Sequence, residues 1–137
     1  VALGDQTRQR IRNKMAGMRA LLQEIATDLQ EYAQTHAAWT DRTGEARRGI
    51  HAGVVSRRGS FVLYLEHTAW HARFLETGVQ PHEIEPELKK ALYWPGAKHP
   101  VTKKIKHPGT KSYAVLVPTV DANIGDITRD ILDYWGD

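Results

Sequence analysis

The sequence predicts an α+β domain in which a long N-terminal helix and a C-terminal helix pack on a small, mainly antiparallel sheet. Three observations lead there. Ile11, Met15, Met18, Leu22, Ile25, Leu29 and Tyr32 recur at alternating spacings of four and three, the period of one helix face. Residues 50–55 and 61–65 are apolar runs joined by Arg57-Arg58-Gly59-Ser60, the pattern of a hairpin whose turn needs glycine. Val120, Ile124, Ile127, Ile131 and Trp135 return to helical spacing near the end.

The first helix is expected over residues 5–36, with Asp5 as N-cap. Leu21 and Ala33 widen its apolar stripe beyond a two-stranded zipper, so it should lie on a sheet. At ~1.5 Å per residue it would reach ~45 Å, longer than the core requires. Its first turns, rich in Arg8, Arg10, Arg12 and Lys14, are therefore expected to project.

Residues 37–117 should hold the sheet, with a short central helix over 68–77. Asp41-Arg42-Thr43-Gly44 reads as a turn, and alternation sets Phe61, Leu63 and Leu65 opposite Val62 and Tyr64. In the central helix Trp70 and Phe74 are four apart with Leu75 close by, a spacing that predicts a buried aromatic anchor. Gly78 should end that helix in the left-handed conformation. Glu76, between the buried face and the glycine, is expected to accept hydrogen bonds from loop amides or from an arginine such as Arg47.

Residues 91–94 and 101–105 read as further strands around Pro95-Gly96. His107-Pro108-Gly109-Thr110 suits a type II turn. Residues 113–117 fit either a strand or the start of a helix, and 118–135 form the last helix.

At 137 residues, with 41% hydrophobic and 26% charged residues, the chain suits one domain with a single core. No apolar run approaches a membrane span, and residues 4–14 lack the apolar core of a secretory signal. With no cysteine there is neither a disulfide nor a thiolate metal site. The net charge of +3 is unevenly spread. Seven lysines and no acid fall between Lys89 and Lys111, among them Lys98, Lys103, Lys104 and Lys106. Asp121, Asp126, Asp130, Asp133 and Asp137 then face Arg129 alone. Such polarity suits a nucleic-acid surface, head-to-tail association of copies, or two merely solvated faces.

Nothing in the residues argues for catalysis. His67 and His71 have the spacing of two metal ligands on a helix, but no third ligand follows at a recognisable interval. Surface or capping histidines are the simpler reading, and no metal or cofactor is expected. Glu83, Glu85 and Glu87 alternate along one side of an extended segment without a second catalytic group nearby. No phosphate-cradling glycine loop or nucleophile elbow occurs. The lysines with Tyr93, Trp94 and Tyr113 support a DNA-binding or DNA-processing alternative, through phosphate neutralisation and base stacking.

Five motifs in order carry a resemblance. They are Trp39-x-Asp41-x-Thr43-Gly44-x-x-Arg47, the run from Trp70 through Phe74 and Glu76 to Gly78, Ile84-x-Pro86, Lys90-Ala91-Leu92-x-Trp94, and His107-Pro108-Gly109-Thr110. Their order and spacing resemble the neck and tail-completion proteins of long-tailed bacteriophages, also described as head–tail joining or minor tail components. The chain departs from that pattern at Trp70-His71, where the family has a smaller or tyrosine-like pair, and at Ser112-Tyr113, where it favours Pro-Phe. The resemblance implies a non-enzymatic virion subunit that assembles in the host cytoplasm into a ring at the head–tail junction. Its expected partners are further copies of itself and neighbouring neck, head-closure or tail-tube proteins, with genomic DNA passing through the lumen and no membrane contact. The lysines from Lys98 to Lys111 and the acidic residues Asp126, Asp130 and Asp133 would then lie on unlike, complementary surfaces of the ring.

Overall fold

A computed structural model describes residues 3–84 and 105–136. The fold is α+β, with helix α1 (Leu3–His36), helix α2 (Glu45–Arg48), strands β1 (Ile50–Arg57) and β2 (Ser60–His67), helix α3 (Ala72–Thr77), strands β3 (His82–Ile84) and β4 (Ile105–His107), and helix α4 (Leu116–Gly136).

The long helix forms where the stripe predicts it. Met18, Leu22, Ile25, Ala26 and Leu29 are buried with Ala52, while Phe61, Leu63 and Leu65 pack against them from β2. Val62 lies on the other face and is exposed, as alternation requires. Burying side chains of this size stabilises the fold by about 1.5–3 kcal/mol each. The last turns of α1 enter a second cluster with Trp39, Ile50 and Val115, where Ala33 lets the chains approach closely. Residues 4–13 are helical and exposed, so the basic first turns extend past the core.

β1 and β2 form an antiparallel hairpin in the register Ile50↔His67 to Arg57↔Ser60. Its two-residue turn is Arg58-Gly59, and Gly59 has φ 72°, a value glycine adopts without steric cost. Two glutamines one turn apart on α1 tie down the strand. The side-chain oxygen of Gln30 accepts the Ala52 amide at 3.0 Å, and Gln34 Nε2 donates to the Ile50 carbonyl at 3.3 Å.

The sheet differs from the single one expected. β3 and β4 form their own two-stranded ladder, and a Val79↔Thr110 bridge continues it. The strand expected at 91–94 and most of the one at 101–105 lie outside the described residues. α4 rests on α1 and runs antiparallel to it, and its Ile127 and Ile131 pack on the same core cluster as Phe61, Leu63 and Leu65 of β2. The undecided residues 113–117 resolve into a loop followed by α4 from Leu116. Pro118 suits that start, because first-turn amides need no helical partner.

The central segment corrects the sequence reading most. α3 begins only at Ala72, so Trp70 precedes the helix and does not share a face with Phe74. Trp70 is 74% exposed and Phe74 39% exposed. Ala72, fully buried, and Leu75, packed on the second cluster, make the contact instead. Gly78 has the expected positive φ, 74°, but its ψ of 177° is extended rather than left-handed, a region almost confined to glycine. A Cβ there would lie 2.8 Å from the Thr110 carbonyl oxygen. The glycine thus lets the chain pass from α3 into the Val79↔Thr110 bridge. Gly109, with φ 78°, closes the His107–Thr110 turn as predicted, and its amide donates to His107 Nδ1 at 3.0 Å.

Candidate assembly surface

Glu76 holds the start of α4. Its carboxylate accepts the amides of Val115 at 2.8 Å, Leu116 at 3.0 Å and Val117 at 3.3 Å. These donors have no partner within the helix, and an anion at a helix N-terminus also meets the positive end of its dipole. Burial by itself would raise the Glu76 pKa, but the three amides and His67 outweigh it and the pKa is lowered. Of the two roles foreseen for Glu76, the loop-amide acceptor is the one realised.

Arg47 serves another site. Its Nε donates to Asp41 Oδ2 at 2.8 Å, and Nη2 donates to the Trp39 carbonyl at 3.1 Å. Nη1 donates to the Gln34 carbonyl. The planar fork thereby caps the C-terminal end of α1 and the strand of chain that follows it. Thr43 and Gly44 start α2 nearby: Thr43 Oγ1 accepts the Glu45 amide at 3.3 Å, and Gly44 has φ 77°. Trp39 is buried against this guanidinium, 5.6 Å from its ring centre.

The far end of α4 is fastened reciprocally. Tyr134 donates its hydroxyl proton to the Lys14 carbonyl at 2.6 Å, while Lys14 Nζ donates to the Tyr134 carbonyl at 2.7 Å. The helix is therefore clipped at both ends, yet its apolar stripe is only partly covered. Val117, Val120, Ile124, Leu132 and Trp135 are exposed, Ile124 by 51% and Leu132 by 65%. An open groove of about 450 Å³ separates α4 from β2, walled by Val120, Ile124 and Trp135 on one side and Phe61, Leu63 and Leu65 on the other. Exposed apolar surface that is contiguous rather than scattered marks an interaction site.

A second cleft of about 330 Å³ lies beside α3 and is lined by Arg42, His71, Phe74, Lys111 and Tyr113, together with Asp41 and Glu45. Arg73 stacks over Phe74 at 4.8 Å. Trp70 stands next to this cleft, edge-on to His71 at 5.8 Å.

The remaining sequence candidates are dispersed. Lys106 is exposed on β4 opposite Glu83, and Lys111 reaches the α3 cleft. Lys98, Lys103 and Lys104 lie outside the described residues. Asp126 and Asp130 pair with Arg129 at 3.2 and 3.4 Å on solvent-exposed turns of α4, and Asp133 is exposed. Pro108 is exposed in its turn. His67 and His71 fall on different elements, and His67 is buried at the end of β2 rather than on the surface. Among the described residues no group of three His, Cys, Asp or Glu side chains could hold a metal ion, and no helix is long and apolar enough to cross a membrane.

Sequence reasoning missed the Tyr134–Lys14 clip and the buried position of His67. The first had a usable signal, because a tyrosine on the covered side of an amphipathic helix needs a hydroxyl partner. No protein-family profile matches the chain, and neither a curated protein nor a solved structure matches it.

Proposed function

We propose that this protein is a structural subunit of a tailed-bacteriophage virion, forming a ring at the head–tail junction through protein–protein contacts rather than catalysis. The observation that carries this reading is the α4 stripe. Val117, Val120, Ile124, Leu132 and Trp135 stay exposed on a helix fastened at both ends. Leaving so much apolar surface in water is costly for a monomer, and burial against a neighbour recovers it. The five ordered motifs support a head–tail assembly, and the opposed charge of Lys106 and Lys111 against the α4 aspartates suits an interface of unlike faces.

Electron microscopy and light scattering of the purified chain test this directly. Closed rings, formed alone or with neck or tail partners, are the expected result. A chain that stays monomeric under both conditions would sink the proposal.

A DNA-binding role is the second reading, favoured by the exposed Arg8, Arg10 and Arg12 on the projecting turns of α1. Binding through phosphates should weaken steeply with salt, in proportion to the number of contacts. Loss of that binding on replacing Lys103, Lys104 and Lys106, with no ring formed, would favour this reading over the first.

A further inference from the structure

We infer that the projecting first turns of α1 lie in the major groove of duplex DNA, with arginines on the phosphates of both strands and a row of amides toward the base edges. The inference rests on the DNA-binding reading and names where the duplex sits, whether or not copies assemble.

The side chains of these turns sort onto separate sides of the helix. Arg8 and Arg12 are one turn apart, and Arg19, seven residues on, continues their row. Gln6, Gln9 and Asn13 recur at spacings of three and four and form a second row, in which Gln9 Nε2 donates to Asn13 Oδ1 at 2.9 Å. Arg10, one turn after Gln6, stands on the other side of that amide row. Gln9 and buried Met18 are nine residues apart, half a turn out of phase, so the amides point away from the core. All seven of the arginines and amides named are exposed.

The fold adds cations to one of the two flanks. Arg19 Nη1 donates to the Ser56 hydroxyl, so the row of Arg8 and Arg12 faces the end of β1. There Arg57 and Arg58 lead into the exposed hairpin turn. Between Leu3 and Gln23 the acid is Asp5, 3.7 Å from Arg8. The Tyr134–Lys14 clip brings exposed Asp133 to the same end of the molecule. Arg8, Arg10, Arg12, Lys14, Arg19, Arg57 and Arg58 against Asp5 and Asp133 are seven cations less two acids, or +5. Lys14 is engaged by the Tyr134 carbonyl and Arg19 by Ser56, which leaves five arginines for phosphates.

This arrangement selects the ligand. A helix ~10–12 Å across fits a B-form major groove ~12 Å wide. Guanidinium groups bind phosphate through two parallel bonds, and Asn and Gln pair with the major-groove edge of adenine. Duplex RNA is a poor match, because its major groove is deep and too narrow to be read. A lipid surface calls for apolar side chains between the cations, and Gln6, Gln9 and Asn13 stand there instead.

The test is fluorescence anisotropy of the full chain with a short mixed-sequence DNA duplex over a range of salt. At about −0.9 per phosphate, five contacts predict a log–log salt slope of about −4.5. The triple variant Arg8→Gln, Arg10→Gln, Arg12→Gln should flatten that slope to about −1.8 and weaken binding at least about tenfold at low salt. Glutamine keeps helix propensity and the positions are exposed, so its urea midpoint should match the wild type. Dimethyl sulfate should find guanine N7, which lines the major groove, protected by the wild type. Binding unchanged in this variant but lost in Lys103→Gln, Lys104→Gln, Lys106→Gln would move the contact to the lysine segment; the inference would fall and the DNA-binding reading would stand. Binding without N7 protection would overturn the major-groove placement, as would equal affinity for duplex RNA. Tighter binding to anionic phospholipid vesicles than to DNA, lost in the arginine variant, would assign these turns to a membrane surface and refute the inference. A wild type that binds no duplex would remove the DNA-binding reading together with it.

Discussion

His67 Nε2 lies 3.5 Å from Oε2 of Glu76, joining the end of β2 to the carboxylate that holds the start of α4. Both side chains are largely enclosed, at 7% and 16% exposure. The separation allows electrostatic contact but is long for a hydrogen bond. Among the described residues neither ring nitrogen of His67 has a hydrogen-bond partner, and the same is true of Trp39 Nε1, whose ring centre is 6.0 Å from that of His67. Glu76 is the satisfied member of this buried polar group, because backbone amides supply its partners.

Replacing Glu76 with Gln should destabilise the protein by about 1.5–3 kcal/mol, the range for hydrogen bonds to a charged group. Glutamine keeps one acceptor oxygen but turns an N–H₂ toward amides that are themselves donors. Urea unfolding would measure the loss, and an unchanged midpoint would remove Glu76 as the anchor of α4.

Acid should act through the same residue. The Glu76 pKa in the fold lies below its ordinary value of 4.5, burial being outweighed by the amides of Val115, Leu116 and Val117 and by His67. On acidification the unfolded chain protonates this group first. The stabilisation is therefore complete above about pH 4.5 and is lost as pH falls through the folded value. The stability gap between wild type and Glu76→Gln should narrow as pH is lowered from neutral through the folded-state value. A gap of constant size would contradict that linkage.

Arg47→Lys should not behave as a conservative change. Lysine can meet Asp41 or one carbonyl but cannot reproduce a planar fork that serves Asp41, Gln34 and Trp39 together. A cost of about 1–3 kcal/mol is expected, with faster amide exchange at the end of α1. Wild-type protection there would show that the guanidinium does not hold that end.

Two glycine-to-alanine changes in helices should differ in outcome. Alanine in a helix interior normally gains about 1 kcal/mol over glycine. At Gly125 an added Cβ meets nothing within 4 Å among the described residues, so Gly125→Ala should realise that gain. At Gly17 it would run into the Tyr134 hydroxyl, whose 2.6 Å bond to Lys14 fastens α4. Gly17→Ala should therefore gain nothing or lose stability, and should speed amide exchange over the last turns of α4. Equal gains from both changes would mean that the Tyr134 clip contributes little.

Much of the backbone was legible in the residues. The stripe from Met18 to Leu29, the Arg58-Gly59 turn and the inward set Phe61, Leu63 and Leu65 all occupy the predicted places. Each depends on neighbours within one helical turn or one strand pair. The aromatic anchor was misread for a related reason. A spacing of four says which side chains share a face only if a helix already runs through both, and α3 starts after Trp70. The edge bonds from Gln30 and Gln34 to β1 had no sequence signal, since two glutamines four apart suit any solvated helix.

By itself the sequence determined that two helices and a hairpin form, and which of their faces are apolar, because those outcomes follow from backbone period and turn chemistry. Only the tertiary structure decided what the apolar faces meet. It set α4 on α1, left the groove beside β2 open, turned Trp70 outward and gave Glu76 its partners. Such choices depend on residues far apart in the chain coming together, as Glu76 and Val115 do across 39 positions. Local propensity carries no information about that distance, and packing carries almost all of it.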